Sequence, residues 1–404
     1  VRNRGKRMAI GTAERGGATR SSTSLLYNPE LRQFVYQALT VIFIVWLVWY
    51  AWTNAAQNLA KANMTAGFGF LAGRAGFDIA QTPIAYSSDS TYLRALALGL
   101  INTLIVAFFG IITASIVGLL VGIGRLSNNW IIARLSTIYV EVFRNIPPLL
   151  VIFFWYKGVL ALLPDVKKSL SLPLSVYVSN RGIFMPAPIF SDAIWFVLGA
   201  LVIGVVGSII YRNWATKRQM ATGQRSPILL VSLGLIIGLP LVVFLASGIP
   251  VTFDPPVLGK FNMKGGTVVG PEFLSLYMAL SFYTAAFIAE IVRAGIRGVS
   301  KGQSEAAQAL GVSSGVTTRL VVLPQALRII IPPLTSQYLN LIKNSSLAVA
   351  VGYADLVAVG GTILNQSGHS IEIIGIWMLI YVSISLTTSL FMNWFNAKMA
   401  LVER

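Results

Sequence analysis

Cysteine is absent from the 404 residues, and histidine occurs once, at His369. The first absence excludes a disulfide framework, a thiolate metal centre and a cysteine nucleophile. The second excludes a multi-histidine metal site. Charge is scarce as well: Asp, Glu, Lys and Arg make up 11% of the chain, where a soluble domain averages about 25%. Acids are the scarcer sign, 14 against 31 Lys and Arg, leaving a formal net charge of +17. A phosphate-cradling loop, G-x-x-x-x-G-K-[ST], is missing. Gly5-Lys6 and Gly259-Lys260 have neither the upstream glycine nor the following Ser or Thr. The acids are scattered, no enzyme constellation emerges, and no catalytic, cofactor or metal residue is assigned.

What remains is apolar. Hydrophobic residues make up 55% of the chain and the mean hydropathy is +0.72, as expected of a polytopic membrane protein. A membrane helix needs about 20 mostly apolar residues. Eight stretches qualify: 34–53, 93–124, 132–163, 191–211, 227–247, 272–296, 325–352 and 371–395. The first is too long and too rich in Trp for a signal peptide and reads as a retained anchor. The preceding residues 1–24, rich in Arg, Gly and Ser, read as poorly ordered.

The positive charge is unevenly spread. With the N-terminus inside, the inner segments 1–33, 125–134, 211–226, 293–328 and 396–404 hold 20 of the 31 Lys and Arg, and the outer segments hold 7. The positive-inside rule therefore orients both termini toward the cytoplasm. It also explains the net charge without nucleic acid; lipid is the expected neighbour.

Between the sixth and seventh stretches, residues 305–324 read EAAQALGVSSGVTTRLVVLP. Ala306 and Ala307 let a short helix lie flush on another surface. Gly311 can take a positive φ and end that helix. Pro324, lacking an N–H, is best placed in the first turn of the next helix. The pattern of Glu305, Ala306, Ala307, Gly311, Leu323 and Pro324 resembles the EAA loop of bacterial ABC-importer permeases. That resemblance implies a cytoplasmic element, residues 298–324, that docks on a separate ATPase subunit. Val321 stands where isoleucine is common.

The likeness extends further. Gly99, Leu100, Thr103 and Leu104, followed by Tyr139, Val140, Phe143, Arg144 and Pro147, resemble the first half of permeases that import polar amino acids. Asn145 and Ile146 replace the usual Gly-Thr. Residues 279–398 resemble the second half. The departure is the middle: residues 164–270 carry two extra hydrophobic segments. That insertion and the added first helix resemble the large permease subunits of general L-amino-acid importers. The implied architecture is an all-α polytopic membrane protein with about eight spans. It has a five-helix type I importer core in two parts (93–163 and 271–398). One N-terminal helix (34–53) and two inserted helices lie at its periphery. The implied partners are a second permease subunit, two ATPase subunits holding ATP and Mg, a periplasmic amino-acid-binding protein, and the amino acid itself. The implied location is the bacterial inner membrane. An ion-coupled secondary transporter is the competing reading, supported by the acids Glu141 and Glu290 within spans.

Polar residues inside the spans are expected to face the bundle interior. Asn102, Glu141, Arg144, Tyr283, Thr284, Gln337 and Asn340 are expected along a substrate path, or else to satisfy one another. Glu141 and Arg144, three residues apart, are placed to pair. The family resemblance adds Asn145 and Glu290, whose motif regions lie near the translocation gate. Glycines Gly110, Gly118, Gly122 and Gly124 are expected to permit close helix packing. His369 is expected to be an interfacial residue near the outer end of the last span. The inserted segment is expected to pack outside the core.

Overall fold

A computed structural model describes residues 29–61, 67–260 and 262–399. The sequence expectation for residues 1–24 falls outside them. The first unit contributes one helix, α1 (Pro29–Lys61), exposed along its apolar length. The second unit, from Phe68 onward, holds the rest and is described by itself.

That unit begins with irregular chain and then α2 (Tyr92–Gly124), whose N-cap Thr91 accepts from the Arg94 amide. Next come α3 (Trp130–Asn145), capped by Asn129, and α4 (Pro148–Phe153), which continues through a wider helical turn to Leu162. The insertion supplies α5 (Ile194–Thr222), α6 (Ile228–Leu233) and α7 (Leu239–Ala246). The remaining core is α8 (Pro271–Arg297), α9 (Lys301–Ala309), α10 (Ser314–Thr317), α11 (Leu323–Asn344), α12 (Leu356–Ser367) and α13 (Ser370–Met399). Seven helices among the described residues are long and apolar enough to cross a membrane, or eight if a bent pair counts as one span.

The bent pair corrects the expectation of one helix over 132–163. The chain turns by 111° between Asn145 and Pro148. Two consecutive prolines cause it, since a residue preceding proline is pushed out of the helical region. Ile146 accordingly sits at φ −103, ψ 133, and Pro147, itself before Pro148, at ψ 139.

α2 and α8 run side by side in the same direction and form the centre of the bundle. A Cβ added at Gly118 would lie 2.6 Å from Cβ of Ile288, and one at Gly122 would lie 2.8 Å from the Ala289 carbonyl. These two glycines therefore permit the helix approach expected of them. Gly110 faces Leu341 on α11, and Gly124 faces Ser136 on α3. Hydroxyls add cross-links: Thr113 to Tyr277 at 2.7 Å, Ser115 to Tyr338 at 2.8 Å, and Tyr139 donating to the Phe282 carbonyl at 2.6 Å. One apolar core gathers residues of α2, α4, α8 and α11, including Val106, Ile152, Leu280, Ile288 and Leu341. A second lies where the start of α2 meets α12, α13 and the chain before α2.

The insertion also contains short strands that its sequence reading did not anticipate. β1 (Leu170–Leu172), β2 (Val176–Ser179) and β3 (Gly182–Met185) form successive antiparallel pairs. β4 (Ala187–Phe190) pairs with β5 (Val251–Asp254), closing the base of the α5–α7 excursion. β6 (Val257–Leu258) pairs with β7 (Met263–Lys264). β8 (Thr267–Val269) then adds to β3, with Ile183 opposite Val269 and Met185 opposite Thr267. The insertion is thus nested, leaving and re-entering the core through adjacent strands. Helices α5 to α7 pack chiefly on one another, whereas β3 packs on α8.

Candidate functional site

The loop after α8 has the local form its sequence requires. α9 carries Glu305, Ala306 and Ala307, with Glu305 and Ala306 exposed and Ala307 buried. The helix ends at Leu310, and Gly311 takes φ +74. No atom lies within 4 Å of a Cβ built there, so the requirement for glycine is conformational and not spatial. A wider helical turn over Thr318–Val322 leads into α11, with Leu323 exposed and Pro324 in the first turn. The Gln325 side chain bridges back to Gln303 at 3.4 Å. This loop presents an exposed helix held at both ends.

At the same end of the bundle, Glu290 of α8 collects three guanidinium groups. It accepts from Arg125, just beyond α2, and from Arg293, one turn on along α8, and lies 3.8 Å from Arg144 of α3. Glu141 is 3.7 Å from Arg125. The spacing placed Glu141 and Arg144 to pair with each other; in the structure Glu141 pairs with Arg125 and Arg144 with Glu290. At three-residue spacing they remain neighbours on α3, but both reach sideways to groups on other elements. Arg125 and Arg293 entered the sequence reading only as inward-counted charges. Spacing along the chain carries no sign that they meet, because 165 residues separate Arg125 from Glu290. Asn145 donates to the Glu141 carbonyl at 2.7 Å and closes α3.

Asn102 belongs to the opposite end. It is buried, donating to the carbonyls of Gln81 at 3.1 Å and Ala354 at 2.9 Å. Its own carbonyl accepts from the Tyr353 hydroxyl. Nearby, Thr103 accepts from the Leu356 amide, and Asp355, fully buried, caps α12 through the Ala358 amide. Burial pushes the Asp355 carboxyl up to about 6. The other expected path residues join neither group. Tyr283 is half-buried against Phe287, Thr284 is buried, Gln337 is half-buried and Asn340 is exposed. His369 stacks on Phe70 with centroids 4.2 Å apart, immediately before α13.

Asn102 also lines a cavity of about 960 Å³ between α2, the start of α8, the 80–83 chain and the inserted strands. This contact of insertion with core corrects the expectation that the whole insertion lies outside. The sequence could not show it, because β3 and β8 are short and separated by the entire helical excursion.

A multi-span bundle with a proline-broken span and an exposed helix–glycine–proline loop has the architecture of a membrane transport permease. Comparison makes the class specific. Residues 214–401 match the family described as "Binding-protein-dependent transport system inner membrane component". The general L-amino acid transport system permease protein AapQ of Rhizobium johnstonii is 63% identical, the match covering 98% of this chain and 99% of that one. The putative amino-acid ABC transporter permease protein YhdX of Escherichia coli is 47% identical, over 93% and 96%. The glutamate/glutamine/aspartate/asparagine transport system permease protein BztB of Rhodobacter capsulatus is 44% identical, over 94% and 96%. The chain belongs to the permease subunits of amino-acid ABC transporters, and this supersedes the secondary-transporter alternative.

Proposed function

We propose that the chain is one permease subunit of an ATP-driven importer of L-amino acids, with polar and acidic ones such as glutamate, glutamine, aspartate and asparagine as substrates. The observation that carries this reading is the end-to-end identity of 63% to a general L-amino acid permease, and the substrates after which the 44% identical relative is named narrow it. The chain sits in a bacterial inner membrane with both termini cytoplasmic, in keeping with the 20 of 31 basic residues on that side. A second permease subunit completes the path. Two ATPase subunits supply ATP and Mg chemistry, and a periplasmic binding protein delivers the amino acid. The loop carrying Glu305, Ala306, Ala307, Gly311, Leu323 and Pro324 docks on one ATPase. Glu290, with Arg125, Arg144 and Glu141, closes the cytoplasmic end of the path.

The test uses the assembled complex in proteoliposomes. Gly311→Val puts a β-branched residue at a left-handed φ and should abolish L-glutamate uptake and weaken ATPase retention while the permease still inserts. Glu305→Lys should do the same. Full ATP-driven uptake by both variants would overturn the docking assignment.

A further inference from the structure

The cavity at the end opposite the Glu305 loop carries chemistry that the helix bundle does not need. Its polar lining includes Gln81, Asn102, Tyr156, Asn180, Arg181 and Glu272. Two acceptor oxygens there, Oε1 of Gln81 and Oδ1 of Asn180, are buried and lack any hydrogen-bond partner. Buried polar atoms are nearly always paired; both side chains line the cavity, and a small turn of either would offer its oxygen to a donor that enters it. Glu272 brings a carboxylate in the first turn of α8, where the helix N-terminus favours negative charge. The Tyr156 side chain lines the same cavity. Arg181, at the turn between β2 and β3, contributes a guanidinium that makes no ion pair among the described residues. The volume, about 960 Å³, lies at the upper end of the range for small-molecule sites, about 300–1,000 Å³.

The polarity of the lining defines the ligand. A carboxylate and two unfilled carbonyl acceptors suit an ammonium group with three N–H donors. A guanidinium suits a carboxylate, which it can grip with two parallel bonds. We infer that this cavity, formed jointly by the inserted strands and the core, is a binding site for the free α-amino-acid zwitterion on its way into the membrane path. Glu272, Gln81 and Asn180 take the ammonium group, and Arg181 takes a carboxylate. The site rests on the amino-acid reading above and adds to it a role for the insertion: its strands build one wall of an entry site, while its helices stay outside.

The absence of cysteine makes a direct test possible. Thr267 on β8 is exposed and lines the cavity. Thr267→Cys in the assembled complex is labelled with a membrane-impermeant maleimide, and the labelling rate is followed against L-glutamate and against glutarate, which lacks the ammonium group. L-Glutamate should slow labelling in a saturable way, whereas glutarate should protect far less. Adding Glu272→Gln should remove the protection. Separately, Arg181→Gln, an exposed position tolerant of change, should raise the KM for L-glutamate uptake about tenfold, or about 1.4 kcal/mol, with the maximal rate retained. No protection in a complex that transports L-glutamate would overturn the site, as would protection given by the substrate-free binding protein alone, which would make the cavity a protein-docking pocket. A wild-type complex that transports no amino acid would instead strike at the proposed function, and the two failures are thereby kept apart.

Discussion

The central pair α2 and α8 and the inserted set α5 to α7 are both apolar helices at close quarters, yet they are built for opposite surroundings. In α8, 61% of the apolar stretch is buried within the chain; in the α6–α7 span the figure is 0% and in α5 it is 11%. The unburied α6–α7 span is also more apolar than α8: it shows Leu, Ile and Val outward, whereas α8 places Ser275, Ser281 and Thr284 inside. In water the order would be reversed. Lipid leaves no hydrophobic incentive for helices to associate, so tight contact comes from small residues and hydrogen bonds. The central pair has both, through Gly118, Gly122 and the Thr113–Tyr277 hydroxyl contact. The inserted set has one such glycine, Gly204, set against the Leu235 backbone.

The sharpest way to break this comparison is to overfill the central contact. Gly118→Leu drives a side chain into Ile288 and the Ala285 carbonyl. Overpacking of this kind typically costs about 1–3 kcal/mol before backbone clash is counted. The variant should fail to accumulate as an assembled complex, measured by its yield after purification through the ATPase subunit. Normal yield would mean that α2 and α8 do not need their observed approach. A smaller effect is expected at Glu290→Gln, which keeps the shape and removes the charge shared by Arg125, Arg144 and Arg293. Hydrogen bonds to charged groups are worth about 1.5–3 kcal/mol, so uptake per assembled complex should fall by about tenfold or more with yield less affected. Unchanged uptake would remove the cluster from the transport cycle. The smallest effects belong to the inserted helices. Ser208→Ala, at a buried hydroxyl, and Ser232→Ala should each change stability by about 1 kcal/mol or less and leave substrate preference unaltered. Altered preference at either position would place these helices on the path and erase the distinction.

Much of this was legible in the sequence because membrane helices announce themselves by length and the Glu305 loop by spacing. Gly311 does take the positive φ its position required, and Pro324 does open α11. The bend after Asn145 was written in Ile146-Pro147-Pro148 but was outweighed by the unbroken apolar run around it. α12 escaped because 12 residues cannot span a bilayer and the stretch therefore read as outer loop; its signals were the cap at Asp355 and Gly368, which ends it at φ +72. The site groups were the least legible. Topology brings Arg125 onto Glu290 and places Arg181 and Glu272 on one cavity, and no local periodicity encodes either arrangement between residues so far apart in the chain.

One helix spans everything that matters. α8 has 27 residues, about 40 Å at 1.5 Å each. It carries Glu272 in its first turn, Glu290 near its last, and hands the chain to the Glu305 loop directly afterwards. Packed along α2, it runs as one unbroken helix. A tilt of about 5° about its midpoint would swing each end by nearly 2 Å in opposite senses, given that length. Such a tilt, begun at the end that bears the Glu305 loop, would carry Glu272 at the far end in the opposite direction.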